Sequence, residues 1–494
     1  MFLKRTKILK SICVLLFCIL GIRLAYIGII SGKALETLAH NQQQREINVE
    51  NLRGNISDKK GKSFTGDTKE NLFLNKDGEL LKHETETSVF EFKKEKRAPI
   101  LAQHLIGYTS PDGEGKSGLE KYYDDVLKSE GSLKLSFISD ASGRPAGGFK
   151  LLKNEDEKAS QIKLSLDYSL QAAAEEVMDK YIKKGALVLL DVKSFDVLAM
   201  VSRPGFDSGN ISAYELSPNG ELLNRAILPY NAGSVFKIVT AAAALEKTND
   251  YLQRYFDCRG SFDLGDGHVF DCNKKDGHGI LYFTDAFAKS CNCSFYLTAL
   301  EAEAKNIINI AKKFGMGQKL LNVDLGETLG NLPQRSIYSN AETLNISIGQ
   351  GEILISPVQC AVMAATVANG GVRKGVNIVL GIKRDLGYEN LKINEETQVI
   401  EKQTANILAD MMRSCVTDGT AKKASESQIS IAGKTGSAQS GWIDGGTALV
   451  HGWFCGFFPF ENPKYAMAIL SEGGISGAGS CVEPFVELAE KICG

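Results

Sequence analysis

The sequence has almost no net charge, because 57 lysines and arginines oppose 59 aspartates and glutamates over 494 residues. Proteins that bind nucleic acids usually carry a strong positive balance, so we expect no nucleic-acid partner. Low-complexity tracts and fixed-period repeats are also lacking, which excludes a disordered linker or a solenoid. The hydrophobic content of 43% is typical of a globular chain with roughly two to four domains.

A cleavage site of small residues is lacking after the apolar N-terminal stretch, which argues against a removed signal peptide. Four basic residues within the first ten positions precede a mostly apolar run, 12–30, and about twenty such residues cross a bilayer. Because basic residues favour the inner side, we predict a cytoplasmic tail (1–10), one transmembrane helix (11–30) and an extracytoplasmic remainder. A cleaved signal peptide is the alternative.

The eleven cysteines include no CxxC pair, the usual source of ligands in structural zinc sites. His268 and His278 lie near Cys258 and Cys272, so a metal site has to be considered. The spacing argues against it, and we predict neither a metal nor another cofactor. Disulfides are permitted in an exported domain, and Cys258 with Cys272 is the most plausible pair, although the sequence leaves open whether they are joined.

The patterning of the chain changes near residue 158. Residues 31–158 are polar with short patterned runs, which predicts a small, mainly β, N-terminal pedestal domain. Beyond it, 161–167 alternates like a strand, 168–184 is spaced like an amphipathic helix, and 185–202 is spaced like two strands around a turn. Three more strand patterns and a final helix pattern follow near the C-terminus. Helices around an antiparallel sheet predict an α+β domain over 159–494.

A serine and a lysine three positions apart, Ser234 and Lys237, open an apolar helical pattern. A serine becomes a good nucleophile only when a neighbouring base takes its proton. Residues i and i+3 share a helix face, and burial at a helix N-terminus can depress a lysine pKa enough for this task. Ordinary helix capping explains the pair as well. The same SxxK spacing also occurs at Ser57–Lys60 and Ser160–Lys163, but only the copy at Ser234 opens an apolar helix.

Two further short patterns follow in order. SxN occurs at Ser208–Asn210, Ser217–Asn219 and Ser290–Asn292, and KTG occurs once, at Lys434–Gly436, followed by Ser437. Only Ser290–Asn292 lies where a helical pattern begins, and KTG lies within a strand pattern. Lysine and threonine offer a cation and a hydroxyl to an anionic group, and glycine lets a ligand approach the backbone. Each pattern alone is weak, but the ordered set is a strong signal.

This ordered set resembles the SxxK, SxN and KTG elements of the penicillin-binding protein and serine β-lactamase superfamily. The resemblance covers nearly the whole chain, and its N-terminal part is similar to class B penicillin-binding proteins. The stretches that carry it are LRGNISDKKGK (52–62), HLIGYTS…GKSGLEKYYDDVL (104–127), RAILPYNAGSVFK (225–237), SIGQGEILISPVQCAVMAATVANGG (347–371) and HGWFCGFFP (451–459). Ala232 departs from the family, which usually has proline before Gly-Ser.

The resemblance implies a peptidoglycan D,D-transpeptidase that β-lactams acylate. Ser234 would attack the penultimate D-Ala carbonyl of a stem peptide, Lys237 would take the serine proton, and Ser290 would relay a proton to the leaving amine. The backbone N–H groups of Ser234 and Ser437 would bind the oxyanion. Substrate binding would fall to Asn292, Lys434, Thr435, Gly436 and Ser437.

The resemblance also implies partners at the cell membrane, namely a SEDS-family glycan polymerase and divisome or elongasome proteins. The lack of room for a glycosyltransferase domain between the membrane span and residue 158 argues against a bifunctional class A protein. A D,D-carboxypeptidase, a β-lactamase and a non-catalytic β-lactam sensor or scaffold are the alternatives. A class A β-lactamase needs the glutamate of an ExxLN loop, and Glu342–Asn345 is one residue too short for it.

Overall fold

The structure, a computed structural model, describes residues 2–494 apart from 82, 83, 87, 100, 111, 155–159, 266, 385, 386, 445, 446 and 475. The chain divides into two units. The first comprises 1–53, 67–96 and 129–157, and the second comprises 54–66, 97–128 and 158–494. The predicted boundary between residues 158 and 159 lies outside the described residues.

One long apolar helix begins the first unit. It runs Phe2–Ala25 and continues as a π-helical turn, Tyr26–Ile30. Leu3–Ile30 is the one helix among the described residues that is long and apolar enough to cross a membrane, and no part of it is buried. The basic residues of the predicted tail thus form the first turns of this helix rather than a separate segment.

The remainder of the first unit is mainly β structure after one helix, Gly32–Gln43. Gln44–Arg53, Lys128–Ser139 and Pro145–Asn154 form one three-stranded sheet, and Leu80–Leu81, Thr65–Asn75 and Ser88–Pro99 form another. Leu72, Leu74, Leu135 and Phe137 form a small buried core there. A small core agrees with the scarcity of long apolar runs in this part of the sequence.

The second unit is built on a five-stranded antiparallel sheet. In spatial order its strands are Val197–Arg203, Gly185–Asp191, Tyr465–Gly474, Thr447–Phe458 and Ala432–Asp444. Successive residues face opposite sides of a strand. Accordingly, Ala186, Val188 and Leu190 face one apolar core, whereas Leu187 and Leu189 face another. Cores on both faces explain why the central strands read as continuous apolar runs.

Helices cover both faces of this sheet. Tyr168–Tyr181 and Val482–Cys493 contribute to one core. Lys237–Lys247 and Pro357–Ala368 contribute to the other. The other α-helices among the described residues of this unit are Gln103–Ile106, Gly118–Tyr122, Asp124–Leu127, Phe283–Ala288, Asn292–Ala302, Ala304–Lys313, Asn340–Ser347, Lys402–Thr417 and Gly477–Ser480.

From Gly54 onwards, the LRGNISDKKGK segment belongs to the second unit. Its strand Asn55–Ser57 pairs in parallel with Gln161–Leu164 in a four-stranded sheet that also contains Val379–Arg384 and Gly387–Asn390. The Asp58 carboxylate accepts hydrogen bonds from the backbone N–H groups of Lys60 (2.8 Å) and Lys62 (2.7 Å). These bonds close the turn after the strand, as aspartate commonly does.

Four two-stranded ribbons complete the second unit. They pair Tyr230–Asn231 with Leu354–Ile355, Tyr255–Cys258 with Gly279–Tyr282, Ser261–Asp263 with Val269–Asp271, and Val372–Lys374 with Glu396–Gln398. The strand patterns predicted at 161–167 and 185–202 and the helix pattern at 168–184 are confirmed, although the helix ends at Tyr181.

Candidate active site

The Ser234–Lys237 pair spans two kinds of helix. Ser234 lies in a 3₁₀ turn, Gly233–Phe236, and Lys237 is the first residue of the α-helix Lys237–Lys247. The sequence predicted both residues in the first turn of one helix. The structure differs only in that the turn before Lys237 is a 3₁₀ turn. Every residue from Lys237 to Leu245 is buried, as the apolar run predicts.

Gly233 brings the serine segment close to the KTG strand. Its φ is +55°, and a Cβ atom there would lie 2.7 Å from the Ser437 carbonyl oxygen. Its N–H donates to the Gly349 carbonyl oxygen at 2.8 Å. Only glycine fits both the conformation and the contact. The glycine before Ser234 therefore lets the first and third motifs touch.

Lys237 joins the first and second motifs. Its ammonium nitrogen, Nζ, donates to the Ser290 carbonyl oxygen at 2.7 Å, to Asn292 Oδ1 at 2.7 Å and to Ser290 Oγ at 3.2 Å. Burial of the side chain, together with the positive charge of Lys434, lowers the pKa of Lys237 to about 7. A lysine with this pKa is substantially neutral near pH 7 and can accept a proton.

Ser290 lies in a sharp turn after the helix Phe283–Ala288, and Asn292 is the first residue of the helix Asn292–Ala302. Ser290 is buried and has a φ of +57°, which is uncommon for a residue other than glycine. Its N–H donates to the Phe287 carbonyl oxygen at 3.0 Å. This strained backbone conformation brings Ser290 Oγ and Asn292 Oδ1 within hydrogen-bonding distance of the same side chain, Lys237.

The KTG residues lie on the strand Ala432–Asp444, at the edge of the five-stranded sheet. Lys434 is fully buried, its Nζ donates to the Thr435 carbonyl oxygen at 3.0 Å, and burial lowers its pKa. A Cβ atom on Gly436 would lie 2.9 Å from Val235 Cγ1. Ser437 is exposed, and its hydroxyl accepts from the Gly477 N–H at 3.2 Å. Gly436 thus lets the strand lie against the residue that follows Ser234.

Three supporting contacts were not predicted from the sequence. The Thr435 hydroxyl bonds to Thr420, the Lys237 Nζ lies 5.4 Å from the centre of the Phe295 ring, and Trp453 Nε1 donates to the Asn231 carbonyl oxygen at 2.9 Å. The last contact has a sequence signal, since Trp453 lies within the HGWFCGFFP stretch. The other two partners, Thr420 and Phe295, have no recognisable sequence signal.

Ala232 keeps the backbone that a proline would impose. It is buried, with φ −70° and ψ −39°, and proline fixes φ near −65°. The departure from the family's usual proline therefore leaves the approach to Ser234 unchanged.

The sequence left open whether Cys258 and Cys272 form a disulfide. In this structure both are free, as are the other nine cysteines. Both thiols lie instead beside His278 and Cys291.

Comparison with known proteins identifies the family. A family model described as the penicillin binding protein transpeptidase domain matches residues 185–488. The chain belongs to this family. The resemblance inferred from the three motifs is thereby confirmed.

The relatives include two proteins that cover most of the chain. Stage V sporulation protein D of Bacillus subtilis is 27% identical over 98% of this chain and 84% of that protein. Peptidoglycan D,D-transpeptidase PbpA of Mycolicibacterium smegmatis is 29% identical over 76% of this chain and 77% of that protein.

Solved structures share the fold over most of the chain. A chain from a peptidoglycan synthase complex that coordinates polymerization and crosslinking superposes with a TM-score of 0.73, 23% identity and 99% coverage of both chains. Penicillin-binding protein 3 of Mycobacterium tuberculosis, complexed with aztreonam, gives 0.70 and 23%, covering 91% of this chain and 96% of that one. The predicted fold, an α+β transpeptidase domain preceded by a small β domain and one apolar helix, is confirmed.

Proposed function

We propose that this chain is a peptidoglycan D,D-transpeptidase that works through an acyl-enzyme on Ser234. The observation that carries the proposal is the position of Lys237, a fully buried lysine with a pKa of about 7 that is hydrogen-bonded to both Ser290 and Asn292. A buried amine without a carboxylate partner costs stability, so its presence beside a nucleophile motif favours a catalytic role. Family membership supports acyl transfer as the reaction.

In the proposed acylation step, neutral Lys237 takes the Ser234 proton as Oγ attacks the penultimate D-Ala carbonyl carbon. The oxyanion that forms accepts hydrogen bonds from the backbone N–H groups of Ser234 and Ser437. Ser290 passes a proton to the departing amine, the C–N bond breaks, and free D-Ala leaves. An amine from a neighbouring stem peptide then attacks the ester and restores the Ser234 hydroxyl.

Substrate binding falls to the residues that surround this path. Lys434 and the Thr435 hydroxyl offer a cation and a donor to the terminal carboxylate of the stem peptide. Asn292 Oδ1 holds Lys237, and the amide nitrogen of the same side chain orients the acyl donor. Gly436 and Ser437 let the donor backbone lie against the strand.

A β-lactamase is less well supported. One near match for the glutamate that would activate a deacylating water is Glu342. That carboxylate accepts from the Ser339 N–H and hydroxyl, both at 2.9 Å, in a capping box, and it pairs with Arg335 at 2.9 Å. Helix capping accounts for Glu342.

The proposed function is tested with the full-length protein in detergent, a synthetic pentapeptide donor ending in D-Ala-D-Ala, and an amine acceptor. We expect release of D-Ala together with a cross-linked product, and inhibition of both by penicillin. Release of D-Ala with hydrolysed donor alone would make the protein a carboxypeptidase. Penicillin acylation without any turnover would favour a sensor.

We propose that Leu3–Ile30 is a retained membrane anchor with the catalytic unit outside the cytoplasm. The apolar length of the helix and the basic residues in its first turns support this orientation. We also propose a SEDS-family glycan polymerase and elongasome or divisome proteins as partners, since a structural neighbour comes from a peptidoglycan synthase complex.

One preparation tests the anchor and its partner together. The protein, tagged at its C-terminus, is purified from membranes and its N-terminus is sequenced. We expect the N-terminus within residues 1–10 and a polytopic polymerase in the same fraction. An N-terminus beyond Ile30 would show that a signal peptide had been cleaved. Purification of the protein without any polymerase would contradict the proposed partner.

A further inference from the structure

Three thiols and an imidazole converge beside the SxN turn. The sulfur atoms of Cys258, Cys272 and Cys291 and a ring nitrogen of His278 all lie within 4.8 Å of one another. The three thiols are buried, and His278 is half-buried. The transpeptidase reaction proposed above uses none of these four side chains.

Three of the six distances between these atoms match the edges of a zinc tetrahedron. Zn–S bonds of about 2.3 Å and Zn–N bonds of about 2.0 Å place tetrahedral sulfurs roughly 3.8 Å apart and a sulfur and a nitrogen roughly 3.5 Å apart. Cys272 Sγ lies 3.8 Å from Cys291 Sγ, and His278 Nδ1 lies 3.5 Å from Cys272 Sγ and 3.6 Å from Cys258 Sγ. A disulfide would need about 2.05 Å between two sulfurs. A disulfide would also leave the third thiol and the imidazole without a role.

The backbone around these side chains is shaped to bring them together. Cys258 pairs in register with Gly279, the residue after His278, and the Cys272 N–H donates to the Gly260 carbonyl oxygen at 2.8 Å. Gly277 has a φ of +76°, and a Cβ atom there would lie 2.2 Å from the Cys258 carbonyl oxygen. Only glycine permits this approach, and it lets the segments 258–260 and 276–279 lie against each other.

We propose that Cys258, Cys272, His278 and Cys291 bind one Zn²⁺ ion in a closed tetrahedral site. Three sulfur donors and one nitrogen donor suit zinc. They disfavour metals that prefer oxygen ligands, such as Mg²⁺. Four protein ligands leave no open position for water, so the ion is structural rather than catalytic. Cys293 packs in the same buried cluster, but its sulfur does not belong to the four-atom set.

The metal also positions the second motif, because Cys291 is the central residue of Ser290–Asn292. Asn292 Nδ2 donates to the Asp271 carbonyl oxygen at 3.3 Å, and the Tyr296 hydroxyl donates to the same oxygen at 3.1 Å. Asp271 precedes the ligand Cys272. One ion thus fixes the chain on both sides of Asn292 and holds Ser290 in its unfavourable backbone conformation. Cys291 is a positioning residue, since it acts through its neighbours.

The metal content of the full-length protein, purified without chelators, tests the site directly. We expect about one zinc per chain by inductively coupled plasma mass spectrometry, and loss of this zinc in Cys272→Ser and His278→Ala. Cys360→Ala removes another fully buried thiol, outside the cluster, and is expected to keep the zinc. After exchange for Co²⁺, we expect thiolate-to-metal absorption bands that both ligand variants lack.

The wild-type protein tests the positioning role even where a ligand variant fails to fold. Removing zinc with a chelator should slow penicillin acylation by about 10²-fold, the effect of roughly 1 Å of misplacement, and added Zn²⁺ should restore the rate. The Ser290–Asn292 role would be overturned by an unchanged rate in zinc-free protein.

The site itself would be overturned by two results. One is a protein that acylates normally but contains no stoichiometric zinc. The other is a disulfide among these cysteines in non-reducing peptide mapping. Because metal content is measured without any turnover, its failure is distinguishable from a failure of the proposed transpeptidase function.

Discussion

Ser234→Ala is expected to abolish the covalent adduct between the full-length protein and a fluorescent penicillin. Alanine removes the only atom that can form the ester, Oγ, whereas the 3₁₀ turn and the buried helix behind it remain. Gel fluorescence and intact-protein mass spectrometry would both show no added β-lactam. We expect a loss to background rather than a partial decrease, since no other group can replace the nucleophile.

Ser160→Ala is the matched control for this experiment. Ser160 opens another SxxK copy in the same chain, but it lies directly before the strand Gln161–Leu164 instead of an apolar helix. Acylation of Ser160→Ala should equal that of the wild type. An adduct that persists in Ser234→Ala would place the nucleophile elsewhere, and peptide mapping of that adduct would identify it.

Lys237→Ala is expected to slow acylation by about 10²–10⁴-fold, the usual contribution of a positioned general base. The variant also removes the donor from the Ser290 carbonyl oxygen and Asn292 Oδ1, so the melting temperature is measured alongside the acylation rate. A folded variant with a low rate supports the base. Undiminished acylation would show that another group takes the Ser234 proton.

The pH dependence separates a base from a purely structural lysine. Only the neutral amine accepts a proton, so the wild-type acylation rate should fall below pH 7, by roughly tenfold per pH unit at the acid end. Burial lowers the pKa of Lys237, and so does the positive charge of Lys434; negative charge on the sulfurs of Cys291, Cys272 and Cys415 acts in the opposite direction.

Lys434→Gln should move the midpoint of this acid limb to higher pH, because removing a nearby positive charge raises the pKa of Lys237. The variant will also bind donors more weakly, but the midpoint of the pH profile is independent of that loss. A profile that stays flat between pH 5 and 9 in the wild type would contradict Lys237 as the base.

Local patterns revealed most of the sheet and the order of the motifs. Strand alternation and apolar helices are set by residues close in sequence, so the strands at 185–202 and the apolar helix behind Ser234 were predictable. The turn at Ser290 was not. A serine with a φ of +57° runs against its own preference, and contacts with Phe287 and Lys237, residues outside the triplet, hold it there.

The cysteine cluster shows the same limit more sharply. A search for CxxC pairs detects zinc sites whose ligands are neighbours in sequence. Here the four side chains come from the end of the strand Tyr255–Cys258, the loop 272–278 and the turn at Cys291. The sequence also favoured a disulfide between Cys258 and Cys272, and the structure does not contain one. Glycines at 260 and 277 were the available sequence signal, because both mark places where the backbone must approach closely.

The KTG strand, Ala432–Asp444, is the last strand of its sheet among the described residues. An edge strand is normally a hazard, since its outer row of backbone groups can pair with any extended chain. In the proposed transpeptidase, this row of backbone groups would serve to recognise the substrate. A stem peptide that adds as a sixth strand would be held by its backbone. The same edge would then tolerate variation in stem-peptide side chains while still aligning the D-Ala carbonyl with Ser234.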